Sequence, residues 1–212
     1  MAEFRPLPRS FYERDVLTLA PLLLGKMLGR TLADGTRLAG RIVEVEAYLG
    51  AEDKAAHTFK NRRTARNASM FLPAGHAYVY FTYGMHYCLN VVADRLDHPT
   101  ACLIRAIEPV LSLDVMRQNR ANKIPVHRLR DTDLCSGPAK LAQALAIDTT
   151  LDGLDMTTDP QLYLALPSEE DADRVPADRI VTRPRVGVGY AGEWAEKPYR
   201  FYIAGNRHVS CK

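Results

Sequence analysis

The hydrophobic positions of the chain fall into short blocks set apart by turn residues, and most of the blocks have strand periodicity. In Leu38–Leu49, Val43, Val45, Ala47 and Leu49 alternate with Glu44, Glu46 and Tyr48. That period of two predicts a strand with one face in the core. Ala77–Thr82 and Tyr87–Val92 are predicted strands joined through Tyr83-Gly84-Met85-His86, a hairpin with a four-residue tip. Ala101–Ile107 is apolar except for Arg105, and Lys197–Ile203 alternates; both are predicted strands. Helices are predicted over three segments. Asp15–Leu28 is capped by Asp15, closed by Gly29 and kinked at Pro21; Val110–Ala121 follows Pro109; Ser136–Ala146 takes Ser136 as N-cap with Pro138 in its first turn. Leu151–Val175 is acidic and irregular and is expected as a surface excursion. Hairpin-linked strands with interspersed helices predict an α+β fold with a largely antiparallel sheet. No linker divides residues 1–212, so one domain is expected.

Composition narrows the class. With 212 residues, 47% hydrophobic and 25% charged, the chain can bury a core without metal or disulfide staples, and global disorder is excluded. The most apolar stretch, Leu17–Leu28, holds Pro21, Gly25 and Lys26 and is too short to cross a bilayer, so no membrane partner is expected. The N-terminal MAEFRPLPRSF has no apolar run of the kind that directs secretion. Cysteines at 88, 102, 135 and 211 form no C-x-x-C pair, which predicts free thiols, no metal and a cytoplasmic setting.

The net charge of +3 says little, but its distribution says more. Lys54–Arg66 carries five basic residues and no acidic one, as does Met116–Arg130, which includes Lys123. Asp148–Asp173 carries eight acidic residues (Glu169, Glu170 and Asp171 among them) and no basic one, while the segment from Arg174 to Lys212 is basic again. Either these are solvated loops, or the molecule has a basic face suited to a phosphate backbone.

Gly187-Val188-Gly189-Tyr190-Ala191-Gly192 spells G-x-G-x-x-G. A dinucleotide site needs a helix, a second strand and an acidic residue about 20 positions on, and the sequence after Gly192 does not supply them. These glycines are read instead as a tight turn or a close backbone approach.

Three segments carry candidate chemistry. Glu44, Glu46 and Tyr48 share a strand face, which either meets water or lines a cleft holding a general base. Tyr78, Tyr80, Tyr83 and Tyr87 cluster on the hairpin. They pack a sheet, or the tip bearing Tyr83 and Met85 is an exposed wedge for stacked bases. Arg105, in an apolar strand, must be paired or functional. Together these residues suggest a basic, tyrosine-lined cleft that binds or hydrolyses nucleic acid.

Five runs then resemble a known family, in order and across nearly the whole chain. They are Arg41-Ile-Val-Glu-Val-Glu46-Ala-Tyr48 continuing to His57, Arg66-Asn67, Tyr78-Val-Tyr80-Phe-Thr-Tyr83-Gly-Met, Leu134-Cys-Ser-Gly-Pro-Ala-Lys140, and Arg185-Val-Gly-Val-Gly to Trp194. The sequence resembles the alkyladenine (methylpurine) DNA glycosylases, the 3-methyladenine glycosylases without a helix-hairpin-helix. The resemblance implies a mixed domain with a curved antiparallel sheet and a protruding hairpin. It implies Glu46 as general base, with Arg105 and the carbonyl of Val188 holding the attacking water. It also implies Tyr48, His57 and Tyr80 around the flipped base, Asn90 as a filter on which purines fit, and Tyr83 with Met85 as the intercalating tip. Arg62, Arg63, Arg66, Asn67 and Lys140 are the expected contacts to the DNA backbone.

The implied activity is monofunctional excision of alkylated or deaminated purines from double-stranded DNA, by a monomer that uses no cofactor. The abasic site would pass to downstream processing enzymes. A lysine Schiff-base lyase is the competing enzyme, but no lysine stands at a matched pocket position. A non-catalytic protein that binds damaged DNA or RNA through a retained base pocket is the other alternative.

Overall fold

The computed structural model describes residues 5–121, 125–166 and 175–211. Lys123, Glu169, Glu170, Asp171, Asp173, Arg174 and Lys212 of the charged runs lie outside the described residues. Two helices, α1 (Arg9–Tyr12) and α2 (Val16–Leu23), lead into strands β1 (Met27–Thr31) and β2 (Arg37–Tyr48). The hairpin β3 (Ala77–Thr82) and β4 (His86–Ala93) follows, then β5 (Thr100–Leu111). Helices α3 (Leu113–Arg120), α4 (Asp131–Leu134) and α5 (Pro138–Ala144) precede β6 (Leu162–Ala165), β7 (Ile180–Arg183) and β8 (Arg200–Ile203).

The strands form one antiparallel sheet in the order β3-β4-β5-β2-β1-β6, with β8 paired to both β2 and β7. β2 is the axis of the fold. One edge pairs with β5; the other pairs with β1 over its first half and with β8 around Glu44–Glu46. This is the curved, half-barrel α+β architecture the sequence implies. Leu19, Leu23, Ile42, Leu89, Ile104 and Met116 are fully withdrawn into one core. Leu141 and Ala142 of α5 join that core, beneath β4 and β5.

Several expectations are corrected. Asp15 caps α2 as predicted, its Oδ1 accepting from the backbone N–H of Leu17 at 2.9 Å and of Thr18 at 3.3 Å. The helix stops at Leu23 rather than Leu28, because Gly25 turns the chain at φ +84° and Met27 and Leu28 join β1. Val110 and Leu111 stay in β5; Ser112 reverses the chain at φ +61° and α3 starts after it. Ser136 is held in a bridge to Ala106, so Gly137 takes the N-cap of α5 and Pro138 the first turn.

The described part of Leu151–Val175 is no excursion: Leu151, Met156, Leu162 and Leu164 are buried, and β6 pairs with β1. This segment also covers the open edge of β3, which removes a row of unpaired backbone groups. Asp152 Oδ1 accepts from Val79 N at 2.8 Å, and Gly153 N donates to Ala77 O at 2.9 Å.

A register shift between Ile42 and Glu44 breaks the strict alternation of β2. Val43 therefore packs with Ala106, Tyr202 and Val209, apart from Val45 and Ala47 in the main core. All four cysteines are free thiols, three of them buried. Among the described residues no helix is long and apolar enough to cross a membrane.

Candidate active site

The hairpin leaves the sheet edge carrying Tyr78 and Tyr80 on one face, two residues apart. Their rings lie 5.3 Å apart and are tilted by 30°. His57 is turned onto them from the loop after β2: its Nδ1 lies 2.8 Å from Tyr78 Oη, and its ring meets Tyr80 edge-on at 4.6 Å. Burial and the nearby Arg66 lower its pKa, which keeps the imidazole neutral over more of the pH range. These three rings, with Tyr48, Asn90 and Arg105, line a cavity of about 310 Å³. That is the small end of the ligand-pocket range, with room for a planar purine.

Asn90 faces Tyr78 across the hairpin register, and its Nδ2 donates to the Tyr78 carbonyl at 3.0 Å. The tip itself is solvent-facing. Tyr83 is 84% exposed and Met85 62% exposed. Tyr83 and Gly84 both have positive φ, at +49° and +66°. Tyr83 borders the cavity, whereas Met85 lies on the other side of the hairpin, over a groove against α5.

Glu46 has no exposed surface and sits directly behind the cavity wall. Its Oε2 accepts from Tyr48 Oη at 2.9 Å. Its Oε1 accepts from the backbone N–H of Val186 at 2.7 Å and pairs with Arg105 Nη1 at 3.2 Å. All three partners line the cavity. Burial pushes the Glu46 carboxyl above the ordinary carboxylate range, against the opposing pull of Arg105, Val186 N–H and Tyr48; the charge of Glu44 adds to the rise. A base poised this way takes a proton more readily than a solvated glutamate.

The Gly-rich segment forms the opposite wall. Gly187 adopts φ +78°, which lets the chain turn beside Glu46. Val186 presents its peptide N–H to Glu46. The Val188 carbonyl accepts from Ala191 N at 2.9 Å, which leaves its second lone pair open, and Val188 lines the cavity. G-x-G-x-x-G is here a run of turns from Gly189 to Ala195, with no dinucleotide unit.

The basic residues are less uniform than expected. Arg62 and Arg66 border a second, basic pocket beside His57 that also takes in Lys54 and Lys60. Arg66 is exposed, with Nη2 donating to Phe81 O at 3.0 Å. Arg63 is tied down by Asp97 at 3.3 Å and lies 4.6 Å over the Phe71 ring. Asn67 is buried: its Nδ2 donates to the carbonyls of His57 at 3.0 Å and Arg62 at 2.9 Å, and its Oδ1 accepts from Thr64 N at 2.7 Å. It braces the loop that carries Arg62 and Arg66. Lys140 is half-buried and donates to Ser136 Oγ at 3.4 Å.

Sequence reasoning missed Asp53, Arg185, Arg200 and Ser210 as parts of the site. Their partners lie far along the chain, so no local spacing flags them. Glu44, noted on the strand face, is as deeply buried as Glu46.

A curved sheet holding an aromatic pocket against a withdrawn glutamate–arginine pair defines the class: a protein that sets facing aromatic rings beside a buried, ionisable carboxylate. Residues 10–207 match the family described as Methylpurine-DNA glycosylase (MPG), and the chain belongs to that family. It is 48% identical over 206 residues to the DNA-3-methyladenine glycosylase of Mus musculus, covering 95% of this chain and 60% of that protein. It is 47% identical over 205 residues to that of Homo sapiens, covering 95% of this chain and 66% of that protein. The chain thus spans less than two thirds of these mammalian relatives. It spans 99% of a Carboxydothermus hydrogenoformans relative, provisionally named a 3-methyladenine DNA glycosylase, at 46% identity over 206 residues and 97% of this chain.

Proposed function

We propose that this protein is a monofunctional DNA glycosylase that hydrolyses the N-glycosyl bond of damaged purines in double-stranded DNA. The observation that carries the reading is the position of Glu46: a buried carboxylate whose three hydrogen-bonding or ion-pair partners, Tyr48, Arg105 and Val186, all line one aromatic cavity. The names of the mammalian and bacterial relatives support the same chemistry.

In this reading Tyr83 enters the duplex and occupies the space left by the flipped nucleotide. The base stacks among Tyr48, His57 and Tyr80. Ionised Glu46 takes a proton from a water held near Arg105 and the Val186 peptide, and the water oxygen bonds to the sugar C1′. The electron pair of the breaking glycosidic bond leaves on the base. An N-alkylated purine is already cationic and departs neutral, and the tyrosine faces favour it by about 1 kcal/mol or more in a desolvated site. One carboxylate suffices for such a cationic base, where a glycosidase acting on neutral sugars pairs it with an acid; a neutral base such as hypoxanthine must also take up a proton as it leaves. The substrates are 3-methyladenine, 7-methylguanine, hypoxanthine and ethenoadenine. The enzyme acts as a monomer in the cytoplasm, on the nucleoid where the cell has one, and leaves abasic sites to downstream processing enzymes.

The test is release of free base from duplexes that each carry one of these lesions, under single-turnover conditions. Release that disappears in Glu46→Gln, with no borohydride-trapped protein–DNA adduct, supports the reading. Intact duplex with every lesion, despite lesion-specific binding, would make the protein a damage-binding module.

A further inference from the structure

Arg105 has all three guanidinium nitrogens engaged. Nε donates to Glu44 Oε1 at 3.2 Å, Nη1 pairs with Glu46 Oε1 at 3.2 Å, and Nη2 donates to Ser210 Oγ at 3.3 Å. Glu44 in turn gathers donors from two further segments. Its Oε1 accepts from Arg200 Nη1 at 2.9 Å, and its Oε2 accepts from the backbone N–H of Ser210 at 2.7 Å. Arg200 Nη1 also donates to the Cys211 carbonyl at 2.8 Å. Strand β8 and residues Ser210 and Cys211 are thereby fastened to the arginine beside the reacting centre.

Neither glutamate borders the cavity, but Glu46 meets it through Tyr48, Val186 and Arg105, whereas Glu44 shares only Arg105 with the cavity wall and turns its other bonds to Arg200 and Ser210. A fully buried carboxylate that meets no substrate still needs its charge compensated, and the partner it draws on most directly for function is Arg105. Arg200 compensates Glu44 at 2.9 Å, but Arg105 Nε still donates to Glu44 at 3.2 Å, so the one guanidinium beside Glu46 is shared between two carboxylates. Glu44 therefore withholds part of the Arg105 charge from Glu46 and adds its own repulsion, and both effects favour proton uptake by Glu46. The other groups facing Glu46 are Tyr48 from β2, Val186 N–H and Arg185 from the Gly-rich segment, Tyr80 from β3, Cys88 from β4 and Tyr190 beyond them. Arg200 stands opposite Glu46 in the strand register but sends its guanidinium to Glu44.

We propose that Glu44 is a positioning residue that locks Arg105 against the Ser210 segment and keeps Glu46 basic enough to deprotonate water. The proposal rests on the glycosylase reading for its catalytic consequence, but its physical core is testable without turnover.

The experiment is a carbon-13 carboxyl titration of the full chain labelled at glutamate, with Glu46→Gln used to assign the Glu46 signal. It compares wild type, Glu44→Gln and the charge-balanced Glu44→Gln/Arg200→Met. The Glu46 midpoint should fall by about one pH unit in both variants, the usual effect of an arginine no longer shared. The rising limb of the pH–rate profile for base release should move with it, and the plateau should fall about 3–10-fold as the base weakens. Affinity for lesion DNA should be unchanged. If Glu44→Gln does not fold, the double variant carries the test. An unmoved Glu46 midpoint overturns the proposal, as does a uniform loss of rate with no shift along the pH axis. If wild type releases no base from any lesion, the glycosylase reading fails, while the titration still decides whether Glu44 governs Glu46.

Discussion

Arg185 and Asp53 form a two-point ion pair wholly withdrawn from solvent, Nη1 to Oδ2 at 2.5 Å and Nη2 to Oδ1 at 2.9 Å. The guanidinium is sandwiched between Tyr48, 4.6 Å from its ring centre, and Tyr199 at 5.4 Å. Nη1 also donates to Ala47 O at 2.9 Å. The pair thus fixes the ring whose hydroxyl reaches Glu46.

Removing one partner of a fully buried pair strands the other, at a cost of about 3–5 kcal/mol. Asp53→Asn should lower the urea midpoint by that equivalent, with an unchanged slope. Replacing both partners, as in Asp53→Leu/Arg185→Met, should recover much of the stability but not the rate, because Tyr48 loses its backing. A single variant as stable as wild type would mean that the pair contributes nothing net to folding.

Glu46 lends itself to a coupled prediction. Glu46→Gln keeps the shape but cannot accept a proton, so single-turnover excision should fall about 100-fold or more, the scale of general-base losses. Lesion binding should survive. The stability effect has the opposite sign. Burial raises the folded-state pKa of Glu46 above its unfolded value, so its contribution favours the fold at acid pH. That contribution is lost as pH rises through the folded pKa. The stability of Glu46→Gln relative to wild type should therefore increase from pH 4 to pH 8, measured by denaturant unfolding at each pH. A relative stability that falls over that range would show that ionised Glu46 holds the fold together.

What was legible in the sequence follows from the range of the interactions involved. β3 is predicted to the residue because alternating tyrosines and a Gly-bearing tip are local signals. Glu46 and Tyr48 on one face, and Arg105 in an apolar strand, are local signals too. β1, β6 and β7 are runs of four or five residues, such as Leu162–Ala165, that become strands only because a partner is waiting. The ion pairs that organise the site span 132 residues for Asp53–Arg185 and 156 for Glu44–Arg200, and no periodicity encodes such distances. The resemblance located the Gly-rich wall, and Val188 does line the cavity; the contact of Val186 N–H with Glu46, 140 residues away, has no local signal.

Tyr83 holds a left-handed backbone at an exposed tip, where its ring has almost no core to rest on. Tyr83→Ser should leave folding stability within about 0.5 kcal/mol of wild type, as for surface positions generally. Tyr83→Gly should be neutral or slightly stabilising, since glycine adopts that φ without strain. Both should weaken binding to lesion DNA and speed the return of the flipped base, read from the fluorescence of a lesion analogue. Loss of several kcal/mol of stability would identify Tyr83 as a packing residue instead.

Asn90 tests how the cavity selects. Its amide is buried on the wall, oriented by donation to the Tyr78 carbonyl at 3.0 Å, and cannot swing aside without losing that bond. Guanine-derived bases carry an exocyclic 2-amino group that adenine and hypoxanthine lack. If Asn90 is the filter, its fixed amide should reject such a group by clash or by leaving it unpaired, worth about 1–3 kcal/mol, or roughly 10–100-fold in rate. Asn90→Ser shortens the side chain and breaks the bond to Tyr78, at a folding cost of about 1 kcal/mol. The ratio of single-turnover rates for 7-methylguanine over hypoxanthine, on matched duplexes, should rise in the variant. The hypoxanthine rate should fall, because its base loses a packed neighbour. If both rates drop by the same factor and the ratio stays put, Asn90 supports the hairpin through Tyr78 and selects nothing.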